Sequence, residues 1–158
     1  MAKTSYAIAL GSNRRSRHGS PAETLRAALA ALRPVAASTI RTTPAMGPAG
    51  RSFANAVATV ESELAPDALL AELKALERAF GRRGGRRWGP RVLDLDIVLW
   101  SEGAWGGPGP LVPHPEFRRR DFVLKPLAEV APGWRDPVTG ATMRHLLARL
   151  TTLRPTPR

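Results

Sequence analysis

The sequence VLDLDIVLW, residues 92–100, decides the interpretation of the fold. Apolar residues alternate with aspartates in its first half, which is the two-residue period of a β-strand with one buried face. Successive side chains on a strand point to opposite faces of the sheet. The alternation therefore predicts one apolar face, formed by Leu93, Leu95, Ile97 and Leu99. Asp94 and Asp96 are predicted to lie side by side on the other face.

Helices are predicted between the strands and in the C-terminal part of the chain. Ser20 and Glu23 form a capping box around Pro21, which begins the first helix. Pro66 begins a second helix, in which leucines recur on one face until a glycine ends the pattern. Two C-terminal helices are predicted over residues 119–130 and 142–150. Pro126 is expected to break or to begin the first of these.

Strands are predicted over residues 4–11, 35–43 and 53–64, in addition to 92–100. Together with the helices they give the order β-α-β-β-α-β, followed by a helical C-terminal part. This order is the split βαβ arrangement, an antiparallel sheet with two helices packed on one face. The other face of the sheet is predicted to stay open, so that a ligand or a partner could use it.

The net charge of +11 indicates an anionic partner. Nucleic acid, a membrane surface and a phosphorylated small molecule all qualify, so composition alone leaves the three classes open. A chain of 158 residues fits one domain, which we expect to span residues 1–158. The apolar runs are too short for a membrane span, and a secretory signal is not expected. The absence of cysteine favours a reducing compartment, so the expected location is the cytoplasm.

The two aspartates are the first candidate functional residues. Two carboxylates roughly 7 Å apart along a strand repel each other unless a positive group lies between them. Magnesium takes oxygen ligands and usually binds through one or two carboxylates together with substrate phosphates. Asp94 and Asp96 are therefore candidate Mg²⁺ ligands. The alternative, that both point into water from an exposed sheet face, stays open at this point.

Basic residues precede the aspartates directly. The ten residues from 82 to 91 contain five arginines, namely Arg82, Arg83, Arg86, Arg87 and Arg91. Gly84, Gly85 and Trp88 lie among them, and a glycine-rich loop of this kind suits a lid that closes over a polyphosphate. A charge run is more often a solvated face, but its position beside an acidic pair favours arginines for phosphate and aspartates for its metal.

Two further segments carry candidate ligand-binding side chains. Prolines on both sides hold His114 in a rigid segment, which suits donation to a phosphate oxygen, although a surface loop histidine is an equal alternative. Phe53 and Asn55 share one strand face, and an aromatic ring with an amide can stack on and hydrogen-bond a flat heterocycle. Phe53 is equally a core residue by default. Gly11-Ser12-Asn13 lacks the spacing and the lysine of a P-loop and is interpreted as a turn.

At these residues the sequence resembles the 6-hydroxymethyl-7,8-dihydropterin pyrophosphokinase family of folate biosynthesis. The motifs that carry the resemblance are ALGSN at 9–13, RWGPRVLDLD at 87–96 and VPHP at 112–115. The resemblance implies a ferredoxin-like α/β (α+β) fold, in agreement with the strand order above. It also implies transfer of pyrophosphate from ATP to 6-hydroxymethyl-7,8-dihydropterin, giving the pterin diphosphate and AMP.

Site residues follow from the resemblance position by position. Asp94 and Asp96 would hold two Mg²⁺ ions and, with Arg82 and Arg91, form the catalytic set. The implied nucleotide-binding residues are Glu77, Trp88, Ile97, His114 and Arg120. The implied pterin pocket consists of Thr43, Pro44, Met46, Phe53, Asn55 and Phe122, with the two phenylalanines as a stacking pair. The expected partners are ATP and a reduced pterin, without nucleic acid or membrane, for a monomeric protein.

The main alternative is an RNA-binding module without catalysis. RNA-recognition domains share the βαββαβ order and a basic surface, and they stack bases on aromatic residues of the sheet. The basic-aromatic signature of their strands is absent here, and Asp94 and Asp96 would repel phosphate from the open face. The enzyme interpretation is therefore favoured.

Overall fold

A computed structural model describes residues 2–43, 52–81 and 91–153. The described strands are β1 Thr4–Ser12, β2 Ala36–Ala37, β3 Arg41–Thr43, β4 Phe53–Ser62 and β5 Asp94–Trp100. The described helices are α1 Pro21–Leu32, α2 Pro66–Ala79, α3 Asp121–Val130 and α4 Met143–Leu153, and a short 3₁₀ turn spans Phe117–Arg119. Four predicted site residues lie outside the described ranges, namely Pro44, Met46, Arg82 and Trp88.

The described strands form one antiparallel sheet in the order β2-β4-β1-β5, with β3 also paired to β4. The strands β1 and β2, which flank α1 in the chain, are therefore not neighbours in the sheet. The same holds for β4 and β5, which flank α2, as the split βαβ arrangement requires. The predicted α+β fold class with a ferredoxin-like strand order is confirmed.

The prediction of one continuous strand over 35–43 is wrong in its middle. From Ala37 to Arg41 the chain advances by four residues, whereas β4 advances by three between their partners Ala58 and Asn55. The extra residue interrupts the ladder as a bulge does. Ser38 replaces part of the lost pairing, because its hydroxyl oxygen accepts a hydrogen bond from the backbone N–H of Val57 at 2.9 Å.

Helices α1 and α2 pack on the first face of the sheet. Tyr6, Ile8 and Leu10 of β1 point toward this layer and are fully or almost fully buried, together with Leu25 of α1 and Leu73 of α2. The apolar side chains that alternate along β1 and the leucines that recur along α2 thus pack into one core, as predicted.

The second face of the sheet is not wholly open, which corrects the prediction. Helix α3 lies against β4, and α4 packs on α3. Val57 and Val98 of the sheet share a second buried cluster with Leu124, Leu127 and Met143. The C-terminal helices therefore cover one end of this face and leave the other end, where β5 begins, accessible.

A bulge in β5 changes the predicted facing of its second half. Ala7 of β1 pairs with Leu99 while the next residue, Ile8, pairs with Ile97, so Val98 is the extra residue. Leu99 consequently belongs to the second cluster and not to the first, in contrast to the prediction. Leu93, Leu95 and Ile97 face the first core as predicted.

Helix α3 runs through Pro126 without a break, so the prediction of a break or a start at this residue is wrong. Proline removes one backbone donor inside a helix. Burial of Val123, Leu124 and Leu127 against the sheet offsets that loss, because most helical stability in proteins comes from packing of the apolar face.

Candidate active site

A cleft of about 510 Å³ opens at the uncovered end of the second sheet face. Its walls are the ends of β1, β3, β4 and β5 and the beginning of α3. Eight residues predicted from the sequence line it, namely Thr43, Phe53, Asn55, Arg91, Asp94, Asp96, Arg120 and Phe122. The fold therefore brings together side chains that are up to 79 positions apart in the chain (43 to 122).

Asp94 and Asp96 lie on the cleft face of β5, as the alternation predicts. Their partners across the ladder are Gly11 and Ala9 of β1, whose small side chains leave room above the sheet. A Cβ atom on Gly11 would lie 3.4 Å from Oδ1 of Asn55, so a larger residue there would crowd the cleft. Gly11 lies inside β1, in agreement with the strand predicted over residues 4–11, and β1 continues to Ser12, so the interpretation of Gly11-Ser12-Asn13 as a turn is wrong for its first two residues.

Arg91 is anchored at the entrance of β5. Its backbone N–H donates to Oδ1 of Asn13 at 2.6 Å, and the N–H of Asn13 donates to the carbonyl of Arg91 at 3.0 Å. The guanidinium Nη1 lies 3.4 Å from Oδ1 of Asp94. Both side chains are partly exposed, so the pair is loose enough for the guanidinium to contact an anionic ligand as well.

His114 lies next to the cleft without lining it. Its backbone N–H donates to the carbonyl of Val98 in β5 at 3.0 Å, and its ring Nδ1 accepts from the N–H of Glu116 at 3.1 Å. With Nδ1 as acceptor, the neutral ring carries its proton on Nε2. Burial lowers the pKa of His114, although the charge of Asp96 opposes this shift. The imidazole is therefore a neutral N–H donor close to Asp96.

Glu77 and Ile97 lie away from the cleft, behind the sheet. Glu77 is fully buried, and its Oε2 accepts the backbone N–H of Leu95 at 2.7 Å and lies 3.2 Å from Nζ of Lys74. The side chain of Ile97 is buried in the first core. A nucleotide could meet Ile97 only through its backbone at the outer edge of β5, so the predicted roles of both residues stay predictions.

Two exposed aromatic side chains also line the cleft. Phe53 and Phe122 are 48% and 46% exposed, although both are large and apolar. The guanidinium carbon of Arg120 lies 5.7 Å from the centre of the Phe122 ring, within cation–π range. The default interpretation of Phe53 as a core residue is therefore wrong, since its ring faces the cleft.

The donor set fits magnesium with phosphate but not a metal held by protein alone. Within the described ranges, groups of three or more His, Cys, Asp and Glu side chains placed to hold a metal ion are absent. Two neighbouring carboxylates beside arginines match the usual magnesium site, which is completed by substrate phosphates and water. Among the described helices there is also none long and apolar enough to cross a bilayer.

Several residues that line the cleft were missed by the sequence analysis, namely Ala9, Asn13, Arg41, Asp121 and Lys125. Ala9 and Asn13 belong to the ALGSN motif, which was quoted for the family resemblance but without a site role, whereas the sequence around Arg41, Asp121 and Lys125 carries little signal. Only strand register and the packing of α3 bring them to the site.

Comparison with known proteins identifies the family. The model of the 7,8-dihydro-6-hydroxymethylpterin-pyrophosphokinase family matches residues 7–132. The chain belongs to this family. It is 43% identical to 2-amino-4-hydroxy-6-hydroxymethyldihydropteridine pyrophosphokinase of Pseudomonas aeruginosa, with 89% of this chain and 88% of the relative covered. The enzyme of the same name from Haemophilus influenzae is 40% identical, with 81% of each chain covered.

A relative from Synechocystis, also named as this pyrophosphokinase, is 40% identical over 67% of this chain, and the match spans only 54% of its own length. Membership in the pyrophosphokinase family confirms the enzyme interpretation of the sequence. The RNA-binding alternative receives no support from these relatives.

Proposed function

We propose that this protein transfers the pyrophosphoryl group of ATP to the hydroxymethyl oxygen of 6-hydroxymethyl-7,8-dihydropterin and releases AMP. One observation carries the proposal. Asp94 and Asp96 share a single cleft with two exposed aromatic rings and with arginines. Such a cleft can hold a polyphosphate at one end and a flat heterocycle at the other.

The heterocycle end is formed by Phe53, Phe122, Asn55 and Thr43. Water contact with two aromatic rings is unfavourable, so a flat ligand that covers both gains hydrophobic and stacking energy. The Asn55 amide offers both a donor and acceptors to the edge of the ring. Pro44 and Met46 complete this pocket in the proposal and lie outside the described residues.

The phosphate end is formed by Arg91, Arg120, Asp94 and Asp96, with His114 beside them. Guanidinium groups match phosphate oxygens with paired N–H donors, and the neutral His114 ring adds an Nε2–H donor. Arg82 and Trp88 belong to the same proposal as parts of a lid over ATP, outside the described residues.

Asp94 and Asp96 would hold two Mg²⁺ ions, which when bound neutralise phosphate charge and align the reacting groups. The hydroxymethyl oxygen of the pterin releases its proton to water and forms its bond to the β-phosphorus as the bond from that phosphorus to the AMP oxygen breaks, roughly in line, and AMP leaves with the bonding electrons. The residues of the chain accelerate this step by positioning two ligands and by stabilising charge on the transferring group.

At the outer edge of β5, we assign the adenine to the backbone of Ile97, with Glu77 behind it. The N–H of Leu95 is held by Glu77 on this edge, and backbone groups alternate in direction along a strand. The Ile97 backbone groups therefore face the same outer side, where an adenine edge could pair with them.

The decisive experiment supplies ATP, Mg²⁺ and 6-hydroxymethyl-7,8-dihydropterin and measures AMP and the pterin diphosphate. We expect equal amounts of both products, and none when the pterin or the metal is left out. Formation of ADP and a pterin monophosphate would contradict pyrophosphoryl transfer. Tight binding of oligonucleotides without metal, with a steep salt dependence, would instead favour the RNA-binding alternative.

Asp96→Ala tests the proposed phosphate end. We expect turnover to fall by at least about 100-fold, because charge stabilisation at the transferring group is lost. Glu61→Ala, on an exposed position of β4, is the matched control and should keep normal turnover. Near-normal transfer by Asp96→Ala with magnesium as the sole metal would refute the assignment, provided that circular dichroism shows an intact fold.

We further propose that the protein is a monomer, that it is located in the cytoplasm and that residues 1–158 form a single domain. Sedimentation equilibrium tests the first, and limited proteolysis tests whether the chain is cut into separate stable parts.

A further inference from the structure

Arg41 is a cation of the cleft that the proposed phosphate site does not use. It lies directly opposite Asn55 in the β3–β4 ladder, so both side chains project from the same sheet face. Arg41 lines the cleft together with Asn55 and Phe53. Its place is therefore the heterocycle end of the cleft.

One side of the Arg41 guanidinium is fixed by α3. Nη2 lies 2.9 Å from Oε1 of Glu129, near the end of that helix. Glu129 is in turn held by Thr39, whose backbone N–H and hydroxyl donate to its two oxygens at 2.8 and 2.9 Å. Three donor contacts, two from Thr39 and one from Arg41, therefore hold the Glu129 carboxylate, and this carboxylate in turn holds Nη2 of Arg41.

The other side of the guanidinium has a donor without an acceptor. Nη1 of Arg41 is closed to water and has no hydrogen-bond partner in the structure as described. A charged donor that is both desolvated and unpaired is costly and rare in folded proteins. The Arg41 side chain as a whole is nevertheless 41% exposed and lines the cleft, so part of it is open to a ligand there. Pairing of Nη1 with such a ligand requires the guanidinium to turn about its contact with Glu129.

We propose that Arg41 determines affinity for the heterocycle by donating from Nη1 to one of its acceptor atoms, while Glu129 positions the guanidinium. The inference rests on the proposed function and deepens it. An oxo-substituted nitrogen heterocycle offers carbonyl oxygen and ring-nitrogen acceptors on its edge, next to the atoms that Asn55 can bind. The bound ligand would thus satisfy a donor for which the described residues offer no acceptor.

The test measures binding of 6-hydroxymethylpterin by calorimetry in the presence of Mg²⁺ and a non-hydrolysable ATP analogue. Arg41→Met should weaken pterin binding by about 10-fold or more, since a hydrogen bond from a charged donor is lost. Affinity for the ATP analogue should stay within about twofold. Equal pterin affinity of the wild type and Arg41→Met would overturn the inference and leave the proposed function standing.

Lys125→Met is the matched comparison, because it removes the same charge from the same cleft. Nζ of Lys125 already lies 3.9 Å from Asp121. If both variants weaken pterin binding equally, Arg41 acts only through its charge and the inference is wrong. If the wild type binds the ATP analogue but no pterin, the proposed function itself fails.

Glu129→Gln tests the positioning role separately. It should raise KM for the pterin and leave kcat nearly unchanged, because the guanidinium is present but less firmly held. A loss confined to kcat would contradict that role. If Arg41→Met does not fold, Arg41→Lys serves instead, since lysine keeps the ion pair with Glu129 but lacks the second nitrogen of the guanidinium fork.

Discussion

At the scale of single residues, Phe53 and Phe122 illustrate how the proposed binding site differs from a core. Both rings are about half exposed and line the cleft, whereas most other large apolar side chains of the described sheet are buried. Rings that remain in contact with water add little to the stability of the free protein. Their energetic value is expected in the complex, where a heterocycle covers them.

Phe53→Ala should therefore separate binding from stability. We expect pterin affinity to fall by about 10-fold, because stacking and apolar contact are lost. The free energy of unfolding should fall by only about 1 kcal/mol, since about half of the ring is already exposed. Calorimetry and urea unfolding measure the two quantities.

Val138→Ala is the control for this prediction, because Val138 is 70% exposed and lies outside the cleft. Val138→Ala should alter neither the pterin affinity nor the free energy of unfolding. A large loss of stability in Phe53→Ala with unchanged pterin affinity would identify the ring as structural.

At the scale of elements, the helix N-termini show how local sequence fixes local structure. Ser20 begins α1 with a capping box: its hydroxyl accepts the N–H of Glu23 at 3.2 Å, and its own N–H donates to Oε1 of Glu23 at 3.0 Å. Helix α2 begins after Ala65, which has the same extended conformation and no side-chain cap. The two helices thus offer opposite starting points for one experiment.

Ser20→Ala should destabilise the protein by about 1 kcal/mol, since a side-chain cap is lost at α1. Ala65→Ser should stabilise it by about 0.5–1 kcal/mol, since a cap is gained at α2. Urea unfolding at constant pH measures both, and neither change should affect turnover. Equal stability of both variants and the wild type would show that the caps are energetically irrelevant here.

At the scale of the whole molecule, the Arg118–Asp136 pair joins two segments that lie 18 residues apart in the chain. Asp136 is fully buried. Its carboxylate accepts hydrogen bonds from Nε and Nη2 of Arg118, the latter at 2.8 Å. It also accepts from the N–H of Val138 and from the hydroxyl of Thr139, both at 2.9 Å. The pair ties the turn before α4 to the segment between His114 and α3. The hydrogen bond from Arg118, with help from the other donors, lowers the pKa of Asp136 from 3.8 to about 2.

This lowered pKa gives a definite pH dependence. The carboxylate binds protons less readily in the folded state, so its contribution to stability is fully present above about pH 4 and is lost as the pH falls toward 2. A shift of this size corresponds to about 2 kcal/mol. Asp136→Asn should therefore lower the free energy of unfolding by about 2 kcal/mol at pH 7, and by much less at pH 2.5.

Glu116→Gln is the control, because Glu116 forms an exposed pair with Arg119 and should cost less than about 1 kcal/mol. Urea titrations at both pH values give the comparison. A destabilisation of Asp136→Asn that is the same at pH 7 and pH 2.5 would contradict the assignment of this pKa.

The reach of sequence reasoning is clearest in β5 and in Arg41. The sheet face to which Asp94 and Asp96 point could be predicted from the alternation alone, because the strand is regular up to Ile97. The sheet face to which Leu99 points could not be predicted in this way, because it is set by a bulge that depends on the pairing of β5 with β1. Arg41 had no sequence signal as a cleft residue, since its position is set by the register opposite Asn55 and by Glu129, which is 88 residues away in the chain.

By itself, the sequence determined the secondary structure wherever the cause is local: the capping box at Ser20, the period of two in β1 and β5, and the leucine stripe of α2. Its motifs also determined the family. Only the tertiary structure decided that α3 and α4 cover one end of the second face, that Phe53 faces the cleft, and that Arg41 lines this cleft with a donor for which the described residues offer no acceptor. These outcomes depend on which distant segments pack together, and packing energies between such segments leave no periodic trace in the chain.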